Sequence, residues 1–166
     1  DADESAGEQR DLHVALDLKK AILRRADRQL DPAGGHHLEG VGLFRTEFMF
    51  MDSSDAPSYD RQFEIYRYVA KTLDRQMLTI RTLDLGGDKL PAFLSPHYEP
   101  NPHLGLRGLR FSLAERKMFE TQLQDIVAAS REHEHIRILF PMVLVSSDLN
   151  RALQIVHDVA RRIGVR

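Results

Sequence analysis

Two short apolar runs in this chain end in the same way. Gly40-Val41-Gly42-Leu43-Phe44-Arg45-Thr46-Glu47 and Met77-Leu78-Thr79-Ile80-Arg81-Thr82-Leu83-Asp84 each break off in Arg-Thr, with an acid close behind. Runs this short, carrying strand-type residues, read as buried parallel strands rather than helices. An arginine that closes such a strand sits at the carboxyl edge of the sheet, where α/β folds bind their ligands. Two of them on neighbouring strands point into one site, and a planar guanidinium suits phosphate and carboxylate better than any other side chain. The competing reading is structural: Arg45 and Arg81 pair with the nearby Glu47 and Asp84 and only seal the rim of the sheet. The repetition favours the anion site.

Composition narrows what such a site belongs to. The chain has 166 residues, enough for one domain with one sizeable core. Its net charge of -2, from 23 basic and 25 acidic residues, leaves no basic footprint for nucleic acid or a membrane surface. There is no cysteine, hence no disulfide framework, thiol nucleophile or cysteine-ligated metal. No apolar run approaches the roughly 20 residues of a membrane span. The acidic start Asp1-Ala2-Asp3-Glu4-Ser5 lacks the regions of a signal peptide, so a cytoplasmic location is expected. Both ends read as cut from something longer.

The rest of the chain alternates strand with helix. Residues 1–10 read as a polar tail and residues 11–166 as one domain. A weak strand at Leu12–Leu16 precedes a helix carrying Leu18, Ile22, Ala26 and Leu30 on one face, with Asp17 placed to cap it and Asp31-Pro32-Ala33-Gly34-Gly35 to stop it. After the strand at 41–45, residues 51–57 form a loop. A helix over about 58–73 then buries Tyr59, Phe63, Tyr66, Ala70 and Leu73. The strand at 77–82 is followed by a long aperiodic connection to about Phe111, of a length usually reserved for function. Ser112 with Glu115 reads as a capping box for a helix burying Phe119, Leu123, Ile126 and Val127. The strand at 136–140 is closed by Pro141. A last helix begins near Ser147, carries Leu149, Leu153, Val156, Ala160 and Ile163, and ends at Gly164. Four such units imply an α/β fold with a parallel sheet and right-handed crossovers, either a small open sheet or half of a closed (β/α)8 barrel.

The long connection supplies further cationic and anion-holding groups. Asp84-Leu85-Gly86-Gly87-Asp88-Lys89 combines paired glycines, which allow close backbone approach to an anion, with a lysine charge; Arg107 and Arg110 add two more forks. Charge-assisted hydrogen bonds contribute roughly 1.5–3 kcal/mol each, so several arginines suit a ligand bearing both a phosphate and a carboxylate. Glu47, Asp84 and Asp88 have the oxygen chemistry for Mg²⁺, but orienting Arg45 and Arg81 is the preferred role of the first two. His36 and His37 read as loop residues. His133 and His135, flanking Glu134, lack a third ligand for a metal. No Ser-His-Asp arrangement and no P-loop is present. The sequence supplies cations that hold a ligand, without a nucleophile or general acid.

On these residues the chain resembles a known family. Gly40-Val41-Gly42-Leu43-Phe44-Arg45-Thr46-Glu47-Phe48-Met49-Phe50-Met51, Arg81-Thr82-Leu83-Asp84-Leu85-Gly86-Gly87-Asp88-Lys89 and Asn101-Pro102-His103-Leu104-Gly105-Leu106-Arg107 together look like the phosphoenolpyruvate–protein phosphotransferases, the enzymes I of bacterial sugar phosphotransferase systems. The likeness runs from about Gly40 to Pro141. Pyruvate phosphate dikinases and phosphoenolpyruvate synthases share the first motif less closely.

The resemblance implies a (β/α)8 phosphoenolpyruvate-binding TIM barrel, dimeric, with Mg²⁺ as cofactor, of which this chain covers about the first four βα units. Arg45, Arg81 and Arg107 match arginines that bind the substrate; Thr46, Glu47, Thr82, Asp84, Gly86, Gly87 and Lys89 are the supporting residues. The phosphoryl group passes from phosphoenolpyruvate to a histidine on a separate domain, and from there to a small phosphocarrier protein. The family's Mg²⁺ ligands, further substrate-binding Asn and Arg, and cysteine proton donor match no residue of this chain and are expected downstream. Gly34-Gly35-His36-His37 does not reproduce the phosphohistidine motif, and residues before Gly40 are unlike the family's first βα unit. The expectation is therefore a phosphoenolpyruvate-binding segment of a phosphotransferase, inactive alone. The alternative is a non-catalytic half-barrel that binds a phosphorylated acid or a partner barrel. Service in sugar uptake and in nitrogen regulation fit the sequence equally.

Overall fold

A computed structural model of the chain describes residues 40–51, 59–85 and 105–165. Those from Val41 onward belong to one compact unit. In chain order its elements are β1 (Gly40–Arg45), α1 (Phe48–Met51), α2 (Tyr59–Leu73), β2 (Met77–Arg81), α3 (Leu109–Ala114), α4 (Arg116–Ser130), β3 (Ile136–Leu139) and α5 (Ser146–Arg162). The strands form one sheet in the order β1-β2-β3. β2 and β3 run parallel, with Leu78 opposite Ile136 and Arg81 opposite Leu139. The α/β class read from the strand–helix alternation is what forms. Met51, expected to open the loop at 51–57, closes α1 instead. The rest of that loop, the expected strand and helix within residues 12–30, His36, His37, Gly86, Gly87, Asp88, Lys89 and Asn101–His103 lie outside the described residues.

The sheet has two unlike faces, as the two-residue period of a strand dictates. Phe44 on β1 and Leu78 and Ile80 on β2 are buried. Phe44 meets the Tyr66 ring of α2 edge-on at 6.3 Å. Ile138, opposite Ile80, packs into the core formed by Leu109, Leu113, Phe119, Leu123, Ala152, Ile155 and Val159. The alternate residues lie on the other face: Leu43 and Arg45 are exposed, Thr79 and Arg81 half-buried, Arg137 exposed and Leu139 half-buried. Among the described residues, then, helices cover one face of the sheet and leave the other open.

The helices pack as layers behind that sheet: α2 against α4, and α4 and α3 against α5. α2 contains neither Gly nor Pro, carries Asp60 in its first turn and Lys71 in its last, and stops at Asp74, which takes up a φ of 55°. Its buried face is Gln62, Ile65, Tyr66, Val69, Ala70 and Leu73. Tyr66, Ala70 and Leu73 are as expected. Tyr59 and Phe63 are not in the core; they stack on each other at 6.1 Å toward the solvent side. The last helix is rotated in the same sense. It buries Ala152, Ile155 and Val159, while Leu153, expected inside, is 42% exposed. In both helices the longest apolar side chains suggested the face, whereas small and β-branched residues sit where the helices touch. Gly164 does end α5: at φ 73° it lets the Gly164 and Val165 amides return to the Arg161 and Ala160 carbonyls at 3.2 and 2.8 Å.

The capping box at Ser112 and Glu115 does not form. Ser112 lies inside α3, its hydroxyl buried with no hydrogen-bond partner. Glu115 sits at the break between α3 and α4 with φ -88° and ψ 55°, and makes no side-chain cap. The helix therefore starts earlier than expected, at Leu109, and is interrupted where the box would have opened it. Among the described residues no helix is long and apolar enough to cross a membrane.

Candidate functional site

Both Arg-Thr pairs stand at the ends of adjacent strands, and the threonines tie these ends together. Thr46 and Thr82 are fully buried. Thr46 Oγ1 donates to the Arg81 carbonyl at 3.0 Å, across from β1 to β2. The Thr82 amide donates to the Leu139 carbonyl at 2.9 Å, which carries the β2–β3 pairing past the last strand residue. The small β-branched residue after each arginine thus turns its hydroxyl inward, while the arginine takes the open face.

Around Arg81 the charges interlock. Arg81 Nη2 donates to Glu47 Oε1 at 2.5 Å, and Nη1 lies 3.3 Å from Asp84 Oδ2. Glu47 Oε1 also accepts from the Asp84 amide at 3.2 Å. The other oxygen of Asp84, Oδ1, accepts from Arg107 Nε at 3.1 Å. Asp84 therefore bridges two guanidinium groups, and Glu47 orients one of them. The Asp84 side chain is 8% exposed and that of Arg81 18%, so these pairs are better shielded than surface ion pairs. Arg107 is brought in by backbone bonds nearby: Gly108 N donates to Leu85 O at 3.2 Å and Leu109 N to Pro141 O at 3.0 Å. The end of β3 thus anchors the return of the long connection.

Two atoms of this cluster are buried without a hydrogen bond, Arg81 Nε and Glu47 Oε2. Arg110 Nε, one turn further on, is a third. Planar guanidinium groups gathered at strand ends are chemistry suited to an anion. Three arginines against two carboxylates leave the strand ends with a surplus of positive charge.

The expected residues are thus gathered unevenly. Arg81, Arg107, Glu47, Asp84, Thr46 and Thr82 come together around the ends of β1 and β2. Arg45 is exposed and forms no ion pair among the described residues. Glu47 and Asp84 were expected to orient Arg45 and Arg81 respectively; instead both acids turn to Arg81, and Asp84 reaches Arg107 as well. His133 and His135 lie beyond the opposite end of the sheet, before β3, with rings 5.5 Å apart. Among the described residues no group of three His, Asp or Glu side chains could hold a metal. Two buried polar residues of α4 were passed over in the sequence, Gln122 and Asp125. Their signal was available: they fall on the same helix face as Phe119, Ile126 and Ala129.

Comparison with known proteins bears on this arrangement. Residues 16–166 match the family described as PEP-utilising enzyme, PEP-binding domain. The chain is similar to the phosphoenolpyruvate-protein phosphotransferase of Latilactobacillus sakei, 42% identical over 120 residues, which is 72% of this chain and 21% of that protein. It is similar to the protein of the same name from Mycoplasma genitalium, 41% identical over 138 residues, 82% of this chain and 24% of that one. The multiphosphoryl transfer protein of Rhodobacter capsulatus is 42% identical over 126 residues, 76% of this chain and 15% of that one. The chain spans about a fifth of the length of the first two relatives and less of the third.

Proposed function

Because the chain belongs to the family of phosphoenolpyruvate-binding domains of phosphoenolpyruvate-utilising enzymes, we propose that it is the phosphoenolpyruvate-holding part of a phosphotransferase. The observation that carries this reading is the bridge Arg81–Asp84–Arg107 at the carboxyl ends of the strands. In it, one buried carboxylate holds two forks in fixed positions at the strand ends. In the proposed reaction the phosphoryl group moves to a histidine of a separate domain and then to a small phosphocarrier protein. Arg81 and Arg107 hold the phosphoryl oxygens from fixed positions, and Arg45 reaches in from the open face of β1. Fixed donors cost no reorganisation as charge spreads in a loose phosphoryl-transfer transition state. Gly86, Gly87 and Lys89 are assigned to the same anion by their place in the sequence.

The sheet face left open among the described residues supports a half-barrel closed by further strands; a cytoplasmic setting and a dimeric parent are part of the same proposal. Mg²⁺ belongs to the proposal, but the described residues do not fit it. Asp84 spends both oxygens on arginines and Glu47 spends one, so a single carboxylate oxygen remains, whereas Mg²⁺ requires near-octahedral oxygen coordination. Its ligands are assigned to residues other than these, and no step here runs through it.

The test is a chimera in which this chain replaces the matched segment of the Latilactobacillus sakei relative. Phosphoryl transfer from phosphoenolpyruvate to protein histidine is the expected result. Arg45→Lys and Arg81→Lys, which keep the charge and lose the fork, are each expected to slow transfer about 10²–10³-fold. Near-normal transfer in both lysine variants overturns the site. Binding of phosphoenolpyruvate without transfer favours the non-catalytic half-barrel.

A further inference from the structure

Behind the strand ends, on the side the helices cover, one polar side chain connects both of them. Gln122 of α4 is 1% exposed, on a face it shares with Phe119, Leu123, Ile126 and the buried Asp125. The Leu83 amide donates to its Oε1 at 3.0 Å. A backbone N–H can only donate, so the oxygen faces Leu83 and the amide nitrogen faces the other way. Nε2 then has two hydrogens and two acceptors, Thr46 Oγ1 at 3.2 Å and Tyr66 OH at 3.3 Å. Each hydroxyl, having accepted, passes its own hydrogen on: Thr46 to the Arg81 carbonyl at 3.0 Å, Tyr66 to Gln62 Oε1 at 3.2 Å. The direction of every bond is fixed by the one before it. Nothing in the network ionises near neutral pH, since burial pushes the Tyr66 hydroxyl far above its usual range.

We propose that Gln122 is the positioning residue for the anion site, locking the ends of β1 and β2 in one register from behind. This rests on the reading of those ends as a phosphoenolpyruvate site. Its reach is what distinguishes it. Thr46 follows Arg45, the Arg81 carbonyl belongs to the second fork, and Leu83 precedes the acid that holds Arg81 and Arg107. One amide therefore bears on Arg45 and Arg81 through the backbone and on Arg107 through the acid after Leu83, and among the described residues it forms a bond with none of their side chains. A filler of the same volume, such as methionine, would satisfy packing alone. An amide with all its hydrogens committed specifies a geometry instead, as fully satisfied buried networks do.

Gln122→Met separates the two roles. In the full chain, without ligand, amide hydrogen exchange at Leu83 is expected to quicken at least about tenfold relative to Ile126 on the same helix as the network opens. A general loss of stability would speed both amides alike. In the chimera described above, Gln122→Met is expected to lower kcat/KM for phosphoenolpyruvate about tenfold, equivalent to one net hydrogen bond. Gln122→Glu, uncharged in so buried a place, keeps an acceptor for Leu83 and an O–H for Thr46, and is expected to recover most of that loss. Thr46→Val cuts the same network from its other end. It is read in the same way if Gln122→Met fails to fold, and adds little on top of it otherwise. Leu83 exchange that moves only in step with Ile126 overturns the lock, and so does undiminished transfer by the Gln122→Met chimera. An inactive wild-type chimera whose Leu83 exchange still responds to Gln122→Met overturns the phosphoenolpyruvate reading and leaves the lock supported.

Discussion

Arg45 and Arg81 close neighbouring strands, each is followed by threonine, and their surroundings are opposite. Arg81 is held by two carboxylates at 2.5 and 3.3 Å. Arg45 is exposed and unpaired among the described residues, although Glu47 stands two positions from it in the chain. The difference comes from where each acid sits. Glu47 lies in the turn that starts α1, and from there its side chain crosses to β2. Asp84 lies in the extended stretch after β2, where one oxygen meets the arginine of its own strand and the other meets Arg107. The first motif thus lends its acid to the second. In the proposed site, an arginine poised between acids suits fixed geometry at one strand end, and an exposed one suits adaptable reach at the other.

The largest expected effect tests whether that division is real. Arg81→Met leaves Glu47 without a cation and Asp84 with Arg107 alone, and is expected to cost about 3–5 kcal/mol, the range for breaking a shielded pair. Arg45→Met is expected to change stability by less than about 0.5 kcal/mol, as an exposed substitution. Urea unfolding of the two variants side by side decides it, and equal losses would erase the contrast. Next comes Asp84→Asn, which keeps the shape but discharges the bridge. A loss of about 1–3 kcal/mol is expected, with a drop in phosphoenolpyruvate affinity as Arg107 is released.

A smaller effect, of opposite sign, compares Asp84 with a carboxylate that has no cation at all. Asp125 is fully buried, and neither oxygen has a hydrogen-bond partner. Burial, with Asp60 adding repulsion, raises its pKa from 3.8 to about 8. Below about pH 4 the group is protonated in the folded and the unfolded chain and contributes no pH dependence. As pH rises, the unfolded chain releases the proton first and the folded chain keeps it until about pH 8, so stability falls across that window and levels off above it. Asp125→Ala is expected to flatten this decline and to raise stability at pH 8–9 by about 1–2 kcal/mol, with a smaller gain at pH 5. Melting curves over that range would show it, and a variant that loses stability equally at both pH values would contradict the uncompensated carboxyl. Smallest is Ser112→Ala. A capping serine would cost about 1 kcal/mol on removal. A buried hydroxyl without a partner is expected to cost nothing or to leave a slightly higher Tm.

The strands were legible because they are short, apolar and sharply ended; all three described strands start within a residue of their sequence boundaries. The helices were legible in position but less so in orientation. Tyr59, Phe63 and Leu153 drew the apolar face toward the largest side chains, when the packed face was set by Ile65, Val69, Ala152 and Ile155. Arg81, Glu47, Asp84 and Arg107 could be named because the chemistry of a charge survives in one dimension. Which acid serves which arginine could not, since that depends on a turn carrying Glu47 across to the next strand. Gln122 and Asp125 were hidden by their helix: a polar residue among Phe119, Leu123 and Ile126 is easily taken for the edge of an amphipathic face until, for Gln122, its partners just past β1 and β2 and on α2 are known, and, for Asp125, its burial.

The pairing of β2 with β3 also bears on how the chain is made. Residue 78 finds its partner at residue 136, 58 positions later. A ribosome adding roughly 5–20 residues per second leaves β2 waiting about 3–12 s for that edge to be covered. During this interval Leu78 and Ile80, fully buried at the end, have β1 and α2 for company but neither β3 nor α4 to close over them. Closing the longer loop costs little more than closing the shorter one between Thr46 and Arg81, about 0.4 kcal/mol by the logarithmic law. The hazard is therefore one of timing rather than of energy, and the nascent chain is most open to misassociation between the emergence of Arg81 and that of its third described strand.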